Sequence, residues 1–313
     1  MMYSEDRMSL RNLFGPRFGR MKLTLKLIVR NPSSAIGLAV VLIYGAIAVI
    51  DQFYPHLLGI YTNVNVMSVS FSSPLPQPPS WLANIHDWSL ALGTTYPGIN
   101  LLMGILKAIR IDLGFSVAIV AGGSLLGIII GLYAGYFGGI VDEVLMRVTD
   151  IFFSIPFLVI AIAAGFFLGR SLIVLLFVLI IIWWPTYARV VRGQVLSIKE
   201  LPYVEASRAN GVSTTKTIFR HILPNTLAPV IVQVSFDLAT VVILLATLDF
   251  IGFIPSNAYL PELGYLSSIG YSYAVIGDWW TMVFPGLTIL LFALAMNLLG
   301  DGIRDAFDPK LRR

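Results

Sequence analysis

The stretch LPYVEASRANGVSTTKTIFRHILPN, residues Leu201–Asn225, decides how the rest of the chain is interpreted. It is a polar segment between two apolar runs, each long enough to cross a bilayer. Pro202 suits the first position of a helix, and Gly211 suits the left-handed turn that ends one. Ser213 predicts the cap of a second short helix, which Pro224 is expected to end. The stretch therefore predicts a helix, a glycine turn and a second helix.

The first of these helices carries unusually small side chains. Ala206, Ser207 and Ala209 lie close together in its sequence. Small residues leave a shallow surface, which predicts that the helix sits deep in a groove of another protein. The alternative interpretation is an ordinary connector between two membrane helices.

These residues resemble a known family. The motif EAS at 205–207, then Gly211 after three residues, and Leu223-Pro224 at the end resemble the "EAA" loop of ABC-importer permeases. In this chain a serine replaces the second alanine of the motif. The segment FRHILPN at 219–225 resembles sequences from the branch of the family that imports dipeptides, oligopeptides, nickel and some oligosaccharides. His221 stands where the broader family prefers isoleucine, and it fits the peptide branch best.

Other segments carry the same resemblance, which extends from about Leu92 to the C-terminus. Two segments resemble the sequences of this family: GYFGGIVDEVLMRVTD at 135–150 and the tail NLLGDGIRDAFDPKLRR at 297–313. The letters LGT at 92–94 resemble the start of an LGTD…GRD signature. Acidic residues are usual where this chain has Thr95 and Asn100.

The resemblance implies a non-catalytic subunit that works with partners. Its coupling helix would dock into a cleft of an ATPase subunit, through the residues Glu205, Ala206, Ser207, Arg208, Ala209, Asn210 and Gly211. The implied partners are a second homologous permease, two ATPase subunits and an extracytoplasmic solute-binding protein. ATP and Mg²⁺ would be bound by the ATPase subunits, and this chain would need no cofactor.

Composition agrees with a membrane protein. Of 313 residues, 57% are hydrophobic and 12% are charged, with a mean hydropathy of +0.83. Soluble domains carry about 25% charged residues, so this chain cannot cover a water-soluble surface. The net charge of +4 is spread over separate segments, which argues against a nucleic-acid partner. The chain has no cysteine, which excludes disulfides and thiolate chemistry.

The apolar runs predict an all-α polytopic fold with six transmembrane helices, like a type I ABC-importer permease. The expected organisation is a cytosolic segment 1–32, a first span 33–50 ended by Asp51, an external loop and amphipathic lead-in 51–112, a five-helix core 113–300 and a cytosolic tail 301–313. Within the core, spans are expected at about 113–137, 151–169, 171–188, 226–254 and 279–300, with the coupling loop at 189–225.

Two features of the core allow further predictions. Glycines at 123, 127, 131 and 135 form a small-residue stripe, either a pore-lining or sliding face or a plain helix-packing face. Pro156 is expected to kink the third span. In the turn before it, Asp142, Glu143, Arg147 and Asp150 predict local charge pairs with a structural role.

The basic residues predict the orientation. Of the 21 Lys and Arg residues, only Lys107, Arg110 and Arg170 fall on the side opposite the coupling loop. Positive charge marks the cytosolic face of a membrane protein. We therefore expect a multi-pass protein of the cell membrane, in contact with lipids and with both termini and the coupling loop in the cytosol.

Several chemistries find no support in the sequence. No G-x-x-x-x-G-K-[ST] motif exists, so we expect no ATP bound through a P-loop. His56, His86 and His221 are far apart in sequence, which disfavours a three-ligand metal site. No G-x-S-x-G motif is present. We expect neither catalysis nor a metal site in this chain.

Acidic residues inside apolar runs are costly and often functional. Asp237 is expected near mid-bilayer and Asp249 near the external end of the fifth span. With Gln233 one turn earlier, Asp237 is a candidate for lining the substrate pathway. An interhelical hydrogen bond to a partner, or a protonated carboxyl in a packed interface, is the alternative.

Two functions of different classes remain open beside the importer. An ion-driven secondary transporter would predict inverted repeats and broken helices at mid-depth, and no repeat is seen. A structural or receptor membrane protein would transport nothing. For an importer, the expected cargo is an oligopeptide or an oligosaccharide, and the few external charges slightly favour a neutral solute.

Overall fold

A computed structural model of the chain describes residues 25–54, 75–83, 90–253 and 261–307. These ranges are almost entirely helical. The helices are α1 (Pro32–Phe53), α2 (Leu101–Phe137), α3 (Gly139–Ser154), α4 (Phe157–Leu168), α5 (Leu172–Ile198), α6 (Pro202–Ala209), α7 (Thr214–Thr217), α8 (Leu223–Phe250), α9 (Leu263–Ala274) and α10 (Trp280–Phe307). A π-helical turn (Ile218–Ile222) joins α7 to α8. A two-stranded antiparallel hairpin, β1 (Thr94–Thr95) and β2 (Ile99–Asn100), precedes α2.

Within the described ranges, five helical segments are long and apolar enough to cross a bilayer. They are α1, α2, α5, the continuous run Thr214–Phe250 and α10. A sixth crossing is obtained if α3 and α4 are one bent span, with an angle of 84° between them. Pro156 lies at the break, as expected of a residue that cannot donate a helix hydrogen bond. The all-α polytopic fold is therefore confirmed.

Helix α2 is longer than the second span expected from sequence. It begins at Leu101 rather than near residue 113 and runs for 37 residues. The side chain of Asn100 caps it by accepting a hydrogen bond from the amide of Met103 at 3.1 Å. The amphipathic lead-in and the second span are thus one helix. Asn100 performs a capping role that an aspartate at this position would also fill.

The glycine stripe packs α2 against α5. A Cβ added to Gly131 would lie 2.6 Å from the carbonyl oxygen of Ala188, and one added to Gly135 would lie 2.7 Å from the Cβ of Val195. The two backbones therefore approach too closely for any side chain at these positions. Of the two interpretations offered by the sequence, close helix packing is the one that this geometry supports.

The charge pairs near the third span differ from those predicted. Asp142 pairs with Arg192 at 2.5 Å and Asp150 with Arg189 at 2.6 Å, so both acids bind arginines of α5. The prediction of local pairs within the turn was wrong. An arginine side chain is long enough to reach a neighbouring helix, and it forms a fork that matches a carboxylate. The pairs fasten α3 to α5, which keeps the predicted structural role.

Helix α1 also departs from its predicted end. Asp51 does not terminate the helix, which continues to Phe53. Instead the Asp51 side chain is buried and forms an ion pair with Arg110 of α2 at 3.0 Å. A charged residue can stay inside a helix when a cation on a neighbouring helix compensates it.

Pro224 does not end the second short helix, contrary to prediction. The amide of Leu223 donates to the carbonyl of Ile218, five residues earlier, which makes a π-helical turn. Pro224 then falls in the first turn of α8, directly after the π-helical turn, where the hydrogen-bond pattern of the helix changes. The polar loop and the following span are consequently one helical run.

Candidate coupling site and translocation residues

Helix α6 is a short helix with defined ends. Leu201 occupies its N-cap position and Pro202 its first turn. At the other end, the amide of Gly211 donates to the carbonyl of Arg208 at 2.9 Å, and that of Val212 donates to Ser207 at 3.2 Å. This pair of bonds is a Schellman motif, which requires a left-handed residue. Gly211 supplies it with φ +72°, as the sequence predicted.

The two sides of α6 face different environments. Val204 and Ser207 are buried against the chain itself. The rest of the candidate coupling residues are exposed: Glu205, Ala206, Arg208, Ala209, Asn210 and Gly211. Ser207 therefore does not belong to the shallow outer surface on which the sequence analysis placed it. The exposed surface, which we call the docking face, consists of the carboxylate of Glu205, the guanidinium of Arg208 and the small alanine side chains.

Side-chain contacts connect α6 to its own loop and to the start of α8. The hydroxyl groups of Ser207 and Thr217 are 3.5 Å apart. The side-chain amide of Asn225 donates to the hydroxyl of Tyr203 at 3.1 Å. These contacts link α6 to both parts of the helical run Thr214–Phe250.

Two further contacts reach the end of α2. The guanidinium carbon of Arg208 lies 4.8 Å from the centre of the Tyr136 ring, within the range of a cation–π interaction. The ammonium of Lys199, just before α6, donates to the carbonyl of Gly135 at 3.0 Å. Helix α6 is thus attached to α2 through Arg208 and to α8 through Tyr203, while Glu205, Ala206 and Ala209 of its docking face stay open.

Gln233 and Asp237 lie one turn apart on α8. The side-chain amide of Gln233 donates to a carboxylate oxygen of Asp237 at 2.9 Å. Asp237 is buried beside Tyr187 and Trp183 of α5. Gln233 borders an open groove of about 500 Å³ between α5, the N-terminal half of α8 and the C-terminal end of α10. The groove is lined by Val190, Ala228, Pro229, Val232, Gln233, Phe236, Arg304 and Phe307.

Asp249 lies far from Gln233, near the other end of α8. It meets Asp112 of α2 and Glu262, which precedes α9; all three are buried, and one oxygen from each lies within 4.8 Å of the others. Burial raises the pKa of the Glu262 carboxyl above its ordinary value. We call this group the acidic cluster. Asp249 was predicted from the sequence, but its two neighbours were not; Asp112 belongs to another helix, and Glu262 lies beyond the end of α8. Asp112 could have been selected from the sequence, because it is the only acidic residue of α2, which is otherwise mostly apolar.

The chain matches the model of a known protein family over residues 127–313, under the description "Binding-protein-dependent transport system inner membrane component". This range includes the whole of α6 and all of the candidate pathway residues.

Individual relatives extend the similarity over most of the chain. It is 33% identical to the "Dipeptide transport system permease protein DppC" of Alkalihalophilus pseudofirmus, over 92% of this chain and 89% of the relative. It is 39% identical to the "Probable D,D-dipeptide transport system permease protein DdpC" of Escherichia coli, over 70% and 72%. The "Glutathione transport system permease protein GsiD" of Pectobacterium atrosepticum is 36% identical, over 71% and 73%.

The fold is shared with a solved transporter. A chain from an inward-facing structure of the MetNI methionine ABC transporter superposes with a TM-score of 0.51, at 21% identity, over 66% of this chain and 98% of that chain. At this identity the likeness concerns the fold alone. Together with the family match and the relatives, it agrees with the all-α polytopic architecture described above. The chain therefore belongs to the family of binding-protein-dependent transport system inner membrane components, in the dipeptide and oligopeptide branch of ABC-importer permeases.

Proposed function

We propose that the chain forms half of the translocation pathway of an ATP-driven importer of short peptides, and that α6 couples it to an ATPase subunit. The observation that carries the proposal is the arrangement of α6, which contacts α2 through Arg208 and α8 through Tyr203 and leaves Glu205, Ala206 and Ala209 open. Relatives named for dipeptides and glutathione support peptides as the cargo. An oligosaccharide, the other cargo considered, has no comparable support.

The proposed docking depends on shape and charge. Ala206 and Ala209 leave room for a groove wall to approach the helix backbone, and Glu205 and Arg208 can form charge-assisted hydrogen bonds. Glu205 lies in the first turn of α6, where a negative charge is stabilised by the helix dipole. A partner that holds these groups can therefore move α6 as a rigid unit.

The proposed mechanism is mechanical. ATP, with Mg²⁺, closes the two ATPase subunits, and α6 is carried with the subunit that holds it. The contacts of α6 with Tyr136 and Asn225 pass this displacement to α2 and α8, which then rock between inward-facing and outward-facing states. A ligand can shift such an equilibrium only by binding the two states differently. The contact of the docking face with the ATPase must therefore differ between the closed and open ATPase states.

The importer that we propose contains a second homologous permease, two ATPase subunits and an extracytoplasmic solute-binding protein. Both termini and α6 would lie in the cytosol, as the distribution of Lys and Arg predicts. No step of the proposed mechanism requires a cofactor in this chain. Gln233 is the candidate pathway residue best placed to meet solute, because it borders the open groove. Asp237 would position it through their hydrogen bond, and Asp249 would act from within the acidic cluster.

The coupling proposal can be tested with Glu205→Ala in the importer assembled with its copurified partners. We expect binding-protein-stimulated ATP hydrolysis and peptide uptake to fall about tenfold or more, as when a central interface residue is truncated. The thermal midpoint of the purified chain should not change, because Glu205 is exposed.

Glu200→Ala is the matched control. Glu200 is also exposed and lies just before α6, outside the docking face. Its variant should keep both activities. If Glu205→Ala left assembly and uptake at the level of the control, the coupling role of α6 would be rejected.

A further inference from the structure

The acidic cluster joins three separate parts of the fold. Asp112 belongs to α2, Asp249 to the last turn of α8, and Glu262 precedes α9. Their exposed fractions are 5%, 3% and 3%. Burying three carboxylates together is strongly unfavourable unless their charge is compensated.

The hydrogen bonds of the cluster do not provide that compensation. Asp112 accepts one bond from the amide of Leu263 at 3.1 Å. Asp249 is 97% buried, yet its carboxylate oxygens have no hydrogen-bond partner among the described residues outside the cluster. Both oxygens are enclosed among groups that can only accept when ionised.

The basic side chain closest to Asp112 in the sequence binds other residues. Arg110, two residues before Asp112, forms its ion pair with Asp51 at 3.0 Å and a hydrogen bond with Gln52 at 3.3 Å. The structure records no ion pair between a basic side chain and the cluster among the described residues. None of the described basic side chains therefore supplies the missing positive charge.

We propose that the acidic cluster binds one divalent cation, Ca²⁺, taken up from the external side. One oxygen from each acid lies within 4.8 Å of the other two, so the three ligand atoms face one common site. Ca²⁺ accepts oxygen ligands in flexible geometry, whereas Mg²⁺ dehydrates reluctantly and usually keeps several waters, so a buried set of carboxylates suits Ca²⁺ better. A shared proton can connect only two of the carboxylates, whereas one cation can contact all three.

A cation bound at this site would hold together three helices, α2, α8 and α9, at the external side. Helix α9 already packs closely on α8, since a Cβ on Gly264 would lie 2.5 Å from the Ala246 carbonyl oxygen. A bound cation would hold α2 to this pair. The proposal does not depend on the coupling role of α6, because it concerns the opposite end of α8.

The test is ⁴⁵Ca²⁺ binding to the full chain in its purified complex, after treatment with a chelator and in the presence of excess Mg²⁺. We expect one more tightly bound Ca²⁺ per complex in the wild type than in Asp249→Asn, whose affinity at this site should fall about tenfold or more. Asp278→Asn removes a carboxylate near the start of α10, outside the cluster, and should bind as the wild type does. Added Ca²⁺ should also raise the thermal midpoint of the wild type, but not that of Asp249→Asn.

Glu262→Gln provides a second variant in case Asp249→Asn does not fold, and it should show the same loss. The proposal is overturned if the folded wild-type complex takes up no stoichiometric Ca²⁺ at neutral pH, as expected if the acids share protons instead. It is equally overturned if a folded cluster variant binds as much Ca²⁺ as the wild type with the same affinity.

Discussion

Arg208 of α6 rests on the ring of Tyr136, with 4.8 Å between the guanidinium carbon and the ring centre. The docking face and the C-terminal end of α2 are thereby joined through a single side chain, which can bind a partner with its polar edge while its flat face contacts Tyr136. An arginine can make both kinds of contact at once because its charge is delocalised over a planar group.

This contact predicts a specific effect of Tyr136→Leu. Replacing the ring removes a cation–π interaction of about 0.5–1 kcal/mol at a partly exposed site, so we expect ATP hydrolysis to respond several-fold less to the loaded binding protein. Tyr133→Leu is the control: it changes another tyrosine of α2, one turn earlier, which stacks on Phe137 rather than on Arg208. The idea fails if both variants respond equally.

Gly211 offers a prediction about backbone conformation. No atom lies within 4 Å of a Cβ added at this position, so any effect of substitution must come from its φ of +72°. Gly211→Val should destabilise the turn after α6 by about 1–2 kcal/mol and lower coupled uptake. Gly211→Asn should remain close to wild type, because asparagine tolerates the left-handed region. Uptake by the assembled importer decides between them, and equal uptake by the two variants would contradict the prediction.

Gly131 offers a prediction about helix packing. Gly131→Ala places a methyl group 2.6 Å from the carbonyl oxygen of Ala188, so α2 and α5 must separate. We expect a loss of stability of about 1–3 kcal/mol, seen as a lower thermal midpoint. Gly114→Ala on the same helix meets no atom within 4 Å and should be neutral or slightly stabilising. A thermal midpoint for Gly131→Ala as high as that of Gly114→Ala would contradict close packing at this position.

The sequence was most informative where local chemistry determines the structure. The polar segment around Glu205, the left-handed turn at Gly211 and the break at Pro156 were all predicted, because each depends on properties of a few adjacent residues. Partners separated by many residues were not predicted. Asp142 pairs with Arg192 rather than with a neighbour in its own turn, and nothing in the sequence indicates which helix α3 will face.

Other differences have the same origin. The π-helical turn that accommodates Pro224 depends on how α7 and α8 pack, so a rule for isolated helices gave the wrong end point. Ser207 was expected on the outer surface because its side chain is small, but it is buried against Thr217. The acidic cluster requires three elements to converge, which the spacing of Asp112, Asp249 and Glu262 does not reveal.

The continuous helical run from Thr214 to Phe250 has a consequence for how force travels. At 1.5 Å per residue its 37 residues form a shaft about 55 Å long. The first residues of this run follow α6, and its last turn carries Asp249. A tilt of about 10° around the midpoint would move each end by about 5 Å in opposite directions. A displacement applied at the α6 end would therefore reach the other end of α8 within one helical run, whose π-helical turn at Ile218–Ile222 lies close to α6.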